Sequence, residues 1–189
     1  MRRTILLVVA CTLALTLCAA AAPVEPADVL KVDYFANANT AGAPDGTLRI
    51  TNPGTSGGNL CAAIYVFDAN QELAECGSCL VTPNGLRTLS VNGDLTANTL
   101  TGVSLSTGSI RIISTPPVAG VCPLPTRVTP TAAVRAWATH IQNSNFSITE
   151  TASQDAALSA NELGLLENEC YAIALDGSGR GVLSCGTGD

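Results

Sequence analysis

An antiparallel β-sandwich closed by one short helix near the C-terminus is the fold this sequence predicts, and three observations predict it. Short runs rich in β-branched and aromatic residues recur from residue 29 to about 151, each ended by Gly, Pro, Asn or Asp. Only one segment, beginning at Ser159, carries a helix start signal. Six cysteines follow an export-type leader, as suits a disulfide-stapled domain that must survive outside the cell.

The elements follow in order. Thr47–Thr51 alternates, with Leu48 and Ile50 on one face and Thr47, Arg49 and Thr51 on the other, and it stops at Asn52-Pro53-Gly54. That pattern predicts a half-buried strand entering a turn. Leu60–Asp68 is apolar on both faces, Cys61, Ala63, Tyr65 and Phe67 opposing Ala62, Ile64 and Val66. A central strand covered on both sides follows. Further strands are expected at 86–91, 109–115 and 134–142, the last joined through Asn143-Ser144-Asn145 to 146–151 as a hairpin. In that hairpin Trp137 and Ile141 share a face with Arg135, opposite Val134, Ala136, Ala138 and His140, and Trp137 is expected to be packed.

Ser159-Ala160-Asn161-Glu162 forms a capping box, in which the hydroxyl and the carboxylate each satisfy a free backbone donor. The helix should run to about residue 169, with Leu163, Leu166 and Cys170 on its buried face. A closing hairpin is expected from 171–175 and 182–185 around the Gly-rich segment 176–181.

Met1-Arg2-Arg3, an apolar run over 5–17 and small residues from Cys18 to Ala22 predict a signal peptide over residues 1–21, cleaved after Ala21. The run is shorter than the roughly 20 residues that span a bilayer, and no second such run follows. Val8-Val9-Ala10-Cys11 has the look of a lipoprotein box but lies too near the N-terminus, so lipid on Cys11 is not expected. Residues 22–189 then form one secreted or periplasmic domain with no transmembrane segment. Of the 189 residues, 168 remain after removal of 21. Arg2 and Arg3 leave with the leader, so seven of the nine basic residues oppose 15 acidic ones, a formal charge of −8. That charge argues against nucleic acid and anionic membranes as partners, since both are held by clustered Lys and Arg.

Cys61, Cys76, Cys79, Cys122, Cys170 and Cys185 are even in number and expected to be structural disulfides, whose pairing the sequence leaves open. Cys76-Gly77-Ser78-Cys79 also has the spacing of a redox pair or half a zinc site, with Cys170 and Cys185 as further ligands. The residues after it read as strand and turn rather than helix, which favours the structural role. His140, the sole histidine, would have to serve any Ser-His-Asp chemistry, and no Gly-x-Ser-x-Gly elbow accompanies it. A packed strand residue is the expectation there. Asp68 and Asn70, and separately Asp176, are calcium candidates in turns that lack full calcium-loop spacing. The same residues serve ordinary turns. Asn145-Phe146-Ser147 matches a glycosylation sequon, which matters only in a host with that machinery and is read as a chance match. No cofactor is called for, and the few aromatics occupy core-like positions, so no sugar-binding platform is expected.

The stretch from Leu48 through Asn52-Pro53-Gly54 to Cys61, continued by Ile64-Tyr-Val-Phe-Asp-Ala-Asn-Gln-Glu72, resembles the strand, turn, strand, turn pattern of immunoglobulin-like modules on exported bacterial proteins. With Cys76-x-x-Cys79, Thr82-Pro-Asn-Gly85 and Asp176-Gly-Ser-Gly, the chain is similar to a family of secreted bacterial β-rich proteins with no established activity. The resemblance implies export and an immunoglobulin-like arrangement, and it transfers no catalytic residue. The functional expectation is a non-enzymatic structural, adhesive or self-associating module at or outside the cell surface. The alternative is a binding module for a small ligand, calcium ion or polymer, and the third reading is a hydrolase using His140.

Overall fold

The structure, a computed structural model, describes residues 24–185. The expected leader, its cleavage site and Cys11 lie outside the described residues. Among the described residues nine strands and one α-helix follow in order: β1 Val24–Phe35, β2 Thr47–Thr51, β3 Leu60–Asp68, β4 Leu73–Val81, β5 Leu86–Ser90, β6 Gly108–Thr115, β7 Arg135–Gln142, β8 Ser147–Ala152, β9 Gln154–Ser159 and α1 Ala160–Asp176. They form a five-stranded sheet ordered β4-β3-β6-β1-β9 and a four-stranded sheet ordered β5-β2-β7-β8. Every strand pairing is antiparallel. The fold is thus a mainly antiparallel β-sandwich with a C-terminal helix.

The alternation in the sequence decides which residues meet between the sheets. Leu48 and Ile50 of β2 point inward against Ala62, Ile64 and Val66 of β3 and Ile110 and Ile112 of β6. The opposite face of β3, with Ala63, Tyr65 and Phe67, is covered by Leu166, Cys170 and Ile173 of α1 and by Val128 of the loop before β7. β3 therefore has apolar neighbours on both sides, as its sequence requires. Tyr65 is fully buried and donates its hydroxyl to Pro125 O at 2.9 Å. Burial, with the Glu167 charge adding to it, pushes its ionisation far above the ordinary tyrosine range. The sole lysine, Lys31 on β1, is buried and paired with Asp155 on β9, its register partner.

The β7–β8 hairpin forms as expected, its turn residues Asn143 and Phe146 both at positive φ. Ser159 caps α1 by accepting from Glu162 N at 3.1 Å. The reciprocal half of the capping box is replaced, because Glu162 turns to Arg111 on β6 at 2.9 Å.

The closing hairpin is not formed. Residues 171–175 continue α1, which runs on until Gly177 supplies a left-handed cap at φ 66. No Gly or Pro lies between Cys170 and Asp176 to end the helix earlier. Residues 182–185 make a single bridge, Val182 with Cys76, instead of a strand. β9 goes beyond the strands that the sequence pattern predicts. Its alternation is faint, with only Leu158 buried, yet it pairs with β1 and completes the first sheet.

Candidate functional site

β4 carries Cys76 and Cys79 three residues apart, and an odd separation on a strand sends the side chains to opposite faces. Cys76 lies under α1 bonded to Cys170, while Cys79 lies toward the inter-sheet core bonded to Cys185. Cys61 is bonded to Cys122. The four sulfurs whose spacing would suit zinc thus form two separate bridges, and Cys76-x-x-Cys79 bonds outward twice rather than to itself.

The calcium candidates are not brought together. Asp68 Oδ1 accepts from Asn70 N at 2.8 Å and from Glu72 N at 2.9 Å, closing the β3–β4 turn. Asp176 is the last residue of α1. Among the described residues no three His, Cys, Asp or Glu side chains are placed to share a metal ion.

His140 sits on β7 facing β1 of the other sheet and is 2 % exposed. Its Nε2 lies 2.8 Å from Thr151 Oγ1 and 3.4 Å from Asp33 Oδ1. Ser153 donates to Asp33 Oδ2 at 2.7 Å, and the Tyr34 ring stacks on the imidazole at 4.1 Å. A catalytic relay needs the hydroxyl on one ring nitrogen and the carboxylate on the other. Here both meet Nε2, Nδ1 has no partner, and Tyr34 covers the ring. The cluster ties the two sheets together and lacks the two-sided geometry of such a relay.

Glu75 on β4 is a second buried ionisable group, with no exposed surface. One oxygen accepts from Asn98 N at 2.8 Å and the other has no partner. Burial pushes its carboxyl up to about 7, against a smaller downward pull from the Asn98 N–H. Asn98 in turn donates through Nδ2 to Gly179 O and Val182 O, so Glu75 anchors both the loop before β6 and the C-terminal segment.

The outward face of the four-stranded sheet is built differently. Directly paired residues share a face, so Arg49, paired with both Thr88 and Trp137, defines a row continued by Ala152. Thr51, Leu86 and Arg135 form the next row on one side. On the other side Thr47 and Ser90 pair, and the Thr47 and Thr139 hydroxyls meet at 2.8 Å. Arg49 Nη1 reaches Glu150 Oε1 at 2.7 Å, bridging over β7 because β2 and β8 flank that strand.

Trp137 therefore does not pack as its neighbours' pattern predicts. It is 36 % exposed, on the solvent side of a continuous sheet face. The reason is spatial: the core side of β7 is taken by Ala136 and Ala138, small enough to admit Leu48 and Ile50 of β2 and the large side chains of the opposite sheet. The result is a lone indole set among threonine hydroxyls and two guanidinium groups. No local pattern reveals that β7 lies beside β2, which is what puts Arg49 next to Trp137.

A three-disulfide β-sandwich presenting one aromatic residue on an open sheet face of mixed polar and apolar side chains, Leu86 and Ile148 among them, is the class of module these features define. Comparison with protein-family models, with curated proteins and with solved structures finds no match. The three disulfides fit an oxidising compartment. No helix among the described residues is long and apolar enough to cross a membrane.

Proposed function

We propose that the protein is a non-enzymatic, extracytoplasmic binding module with an adhesive role, holding a neutral polysaccharide chain against the outward face of its four-stranded sheet. The observation that carries this reading is Trp137, the only tryptophan, displayed on the outward sheet face beside Arg49. An indole offers a large rigid apolar surface at small entropic penalty, and a sugar ring presents a matching C–H face. Arg49 directly opposite it, and Arg135 and Thr139 two positions away along β7, carry N–H and hydroxyl groups suited to sugar hydroxyls, with Thr51 and Thr88 further along the same face.

Charge favours a neutral polymer over an acidic one. Arg49 is already paired with Glu150, and the chain without its leader carries −8. The disulfides suit a protein that works outside the reducing cytosol.

Native affinity electrophoresis of the exported protein in gels containing β-glucan, xylan or mannan tests the reading. Retardation on at least one of these, reversed by Trp137→Ala, is the expected outcome. Equal mobility in all three gels, or retardation that Trp137→Ala leaves intact, overturns it.

A further inference from the structure

We propose that β8, the bare edge of the four-stranded sheet, pairs antiparallel with β8 of a second copy of this chain, joining the two sheets edge to edge. A sheet edge presents unpaired N–H and C=O groups, and proteins that stay monomeric cover it, bend it or point a charge inward from it. The other three edges of this sandwich are treated in those ways. On β4, Cys76 N donates to Gly181 O at 2.8 Å and Cys76 O accepts from Leu183 N at 2.9 Å, so the C-terminal segment covers the strand. On β5, Arg87 pairs with Ile50 and so faces inward, donating to Leu80 O and Cys185 O. β9 pairs irregularly with β1, the register shifting between Glu25 and Leu30.

β8 has none of these devices. Among the described residues it pairs with β7 alone, in unbroken register from Trp137 with Ala152 to Gln142 with Ser147. Residues 148–152 are all exposed, and the strand holds neither Lys nor Pro. Its one charged residue, Glu150, is already met by Arg49. A chain of formal charge −8 repels its own copy, and along β8 Arg49 relieves that repulsion.

The side chains suit a second copy and fix the register. Directly opposed residues share a sheet face. Ile148, Glu150 and Ala152 lie on the Trp137 face, and Ser147, Thr149 and Thr151 lie on the other. Two copies related by a two-fold axis therefore oppose even-numbered positions with even and odd with odd. Centring the pair on residue 150 sets two Glu150 carboxylates against each other, which is destabilising. Centring it on residue 149 opposes Thr149 with the partner's Thr149, Ile148 with the partner's Glu150 and Ser147 with the partner's Thr151. Threonine pairs are favourable across antiparallel strands. Both Trp137 side chains then lie on one continuous outward face, and the pairing holds whatever that face binds.

Pairing over residues 147–151 buries little area, so the dimer is weak, with a Kd on the order of 10⁻⁴ M. Sedimentation equilibrium of the exported protein across concentrations spanning that value should show the average mass rising toward twice the monomer's. Thr149→Lys, which sets two like charges at the axis, should stay monomeric. Mild oxidation tests the register. The two Thr149 Cα atoms would lie about 5 Å apart and the two Thr151 Cα atoms about 13 Å apart. Thr149→Cys should therefore form a covalent dimer at least roughly tenfold faster than Thr151→Cys. Near-ultraviolet circular dichroism checks that each variant is folded. A wild type that stays monomeric throughout, a folded Thr149→Lys variant that still dimerises, or Thr151→Cys cross-linking as fast as Thr149→Cys overturns the proposal.

Discussion

Replacing Glu75 by glutamine should make the protein more stable at pH 8, not less. The carboxyl is fully buried, one oxygen is unpartnered, and burial raises its titration from the ordinary 4.5 to about 7. Well below pH 4.5 the group is protonated in both folded and unfolded chains and contributes no pH dependence. Between 4.5 and 7 the unfolded chain releases its proton while the folded one keeps it, so stability falls as pH rises. Above 7 the loss is complete. At about 1.4 kcal/mol per pH unit, that window amounts to about 3 kcal/mol. The amide of the Glu75→Gln variant keeps an acceptor for Asn98 N and carries no charge, so it removes this loss. For a domain of this size, about 3 kcal/mol corresponds to a Tm increase of roughly 6–12 °C. Calorimetry at about pH 4.5 and about pH 8, with disulfides intact, should find the two proteins alike at the lower pH and the variant higher at the upper. A variant equal to or less stable than wild type at the upper pH would show that the ionised carboxylate is stabilised where it sits, and the reasoning would fail.

Two further substitutions probe packing and covalent closure. At Gly108 an added Cβ would run into Phe67 O and meet the Phe35 ring at 2.6 Å, so Gly108→Ala should lower stability by about 2–4 kcal/mol in urea unfolding; a loss under about 1 kcal/mol would contradict the tight β3–β6 approach. Cys79→Ser with Cys185→Ser opens a link spanning 106 residues and should remove about 2–5 kcal/mol, detected by thermal melting, whereas an unchanged Tm would mean that the β4–tail bridge does not restrain the unfolded chain.

The fold is legible where periodicity is strong. Leu48 and Ile50 identify the inner face of β2, and the two apolar faces of β3 announce a strand covered twice, though not that α1 is one of the covers. Ser159 marks the start of α1 because capping is local. Its end is misplaced because Tyr171, Ile173 and Leu175 alternate like a strand, and only the tertiary packing of Ile173 in the cluster beneath β3 decides between the two. The site is barely legible at all. Alternation puts Trp137 on the face of Arg135, but which face of β7 is inside depends on the side-chain volumes opposite, and Ala136 and Ala138 fill that space. Asp33 and His140 are 107 positions apart in the sequence and meet only because β1 and β7 face each other across the sandwich. Glu75 carries no local signal, since nothing in its neighbours foretells that Asn98 and the C-terminal segment close over it.

If Trp137 is the contact surface for a sugar chain, its own fluorescence reports the contact. As the only indole, it reports without interference. Titration of the exported protein with the polysaccharide that retards it should shift Trp137 emission to shorter wavelength and saturate. Trp137→Ala should bind at least roughly tenfold more weakly while staying within about 1 kcal/mol of wild-type stability. Polysaccharide binding that leaves the emission of Trp137 unchanged would mean that the sugar is held somewhere other than this face.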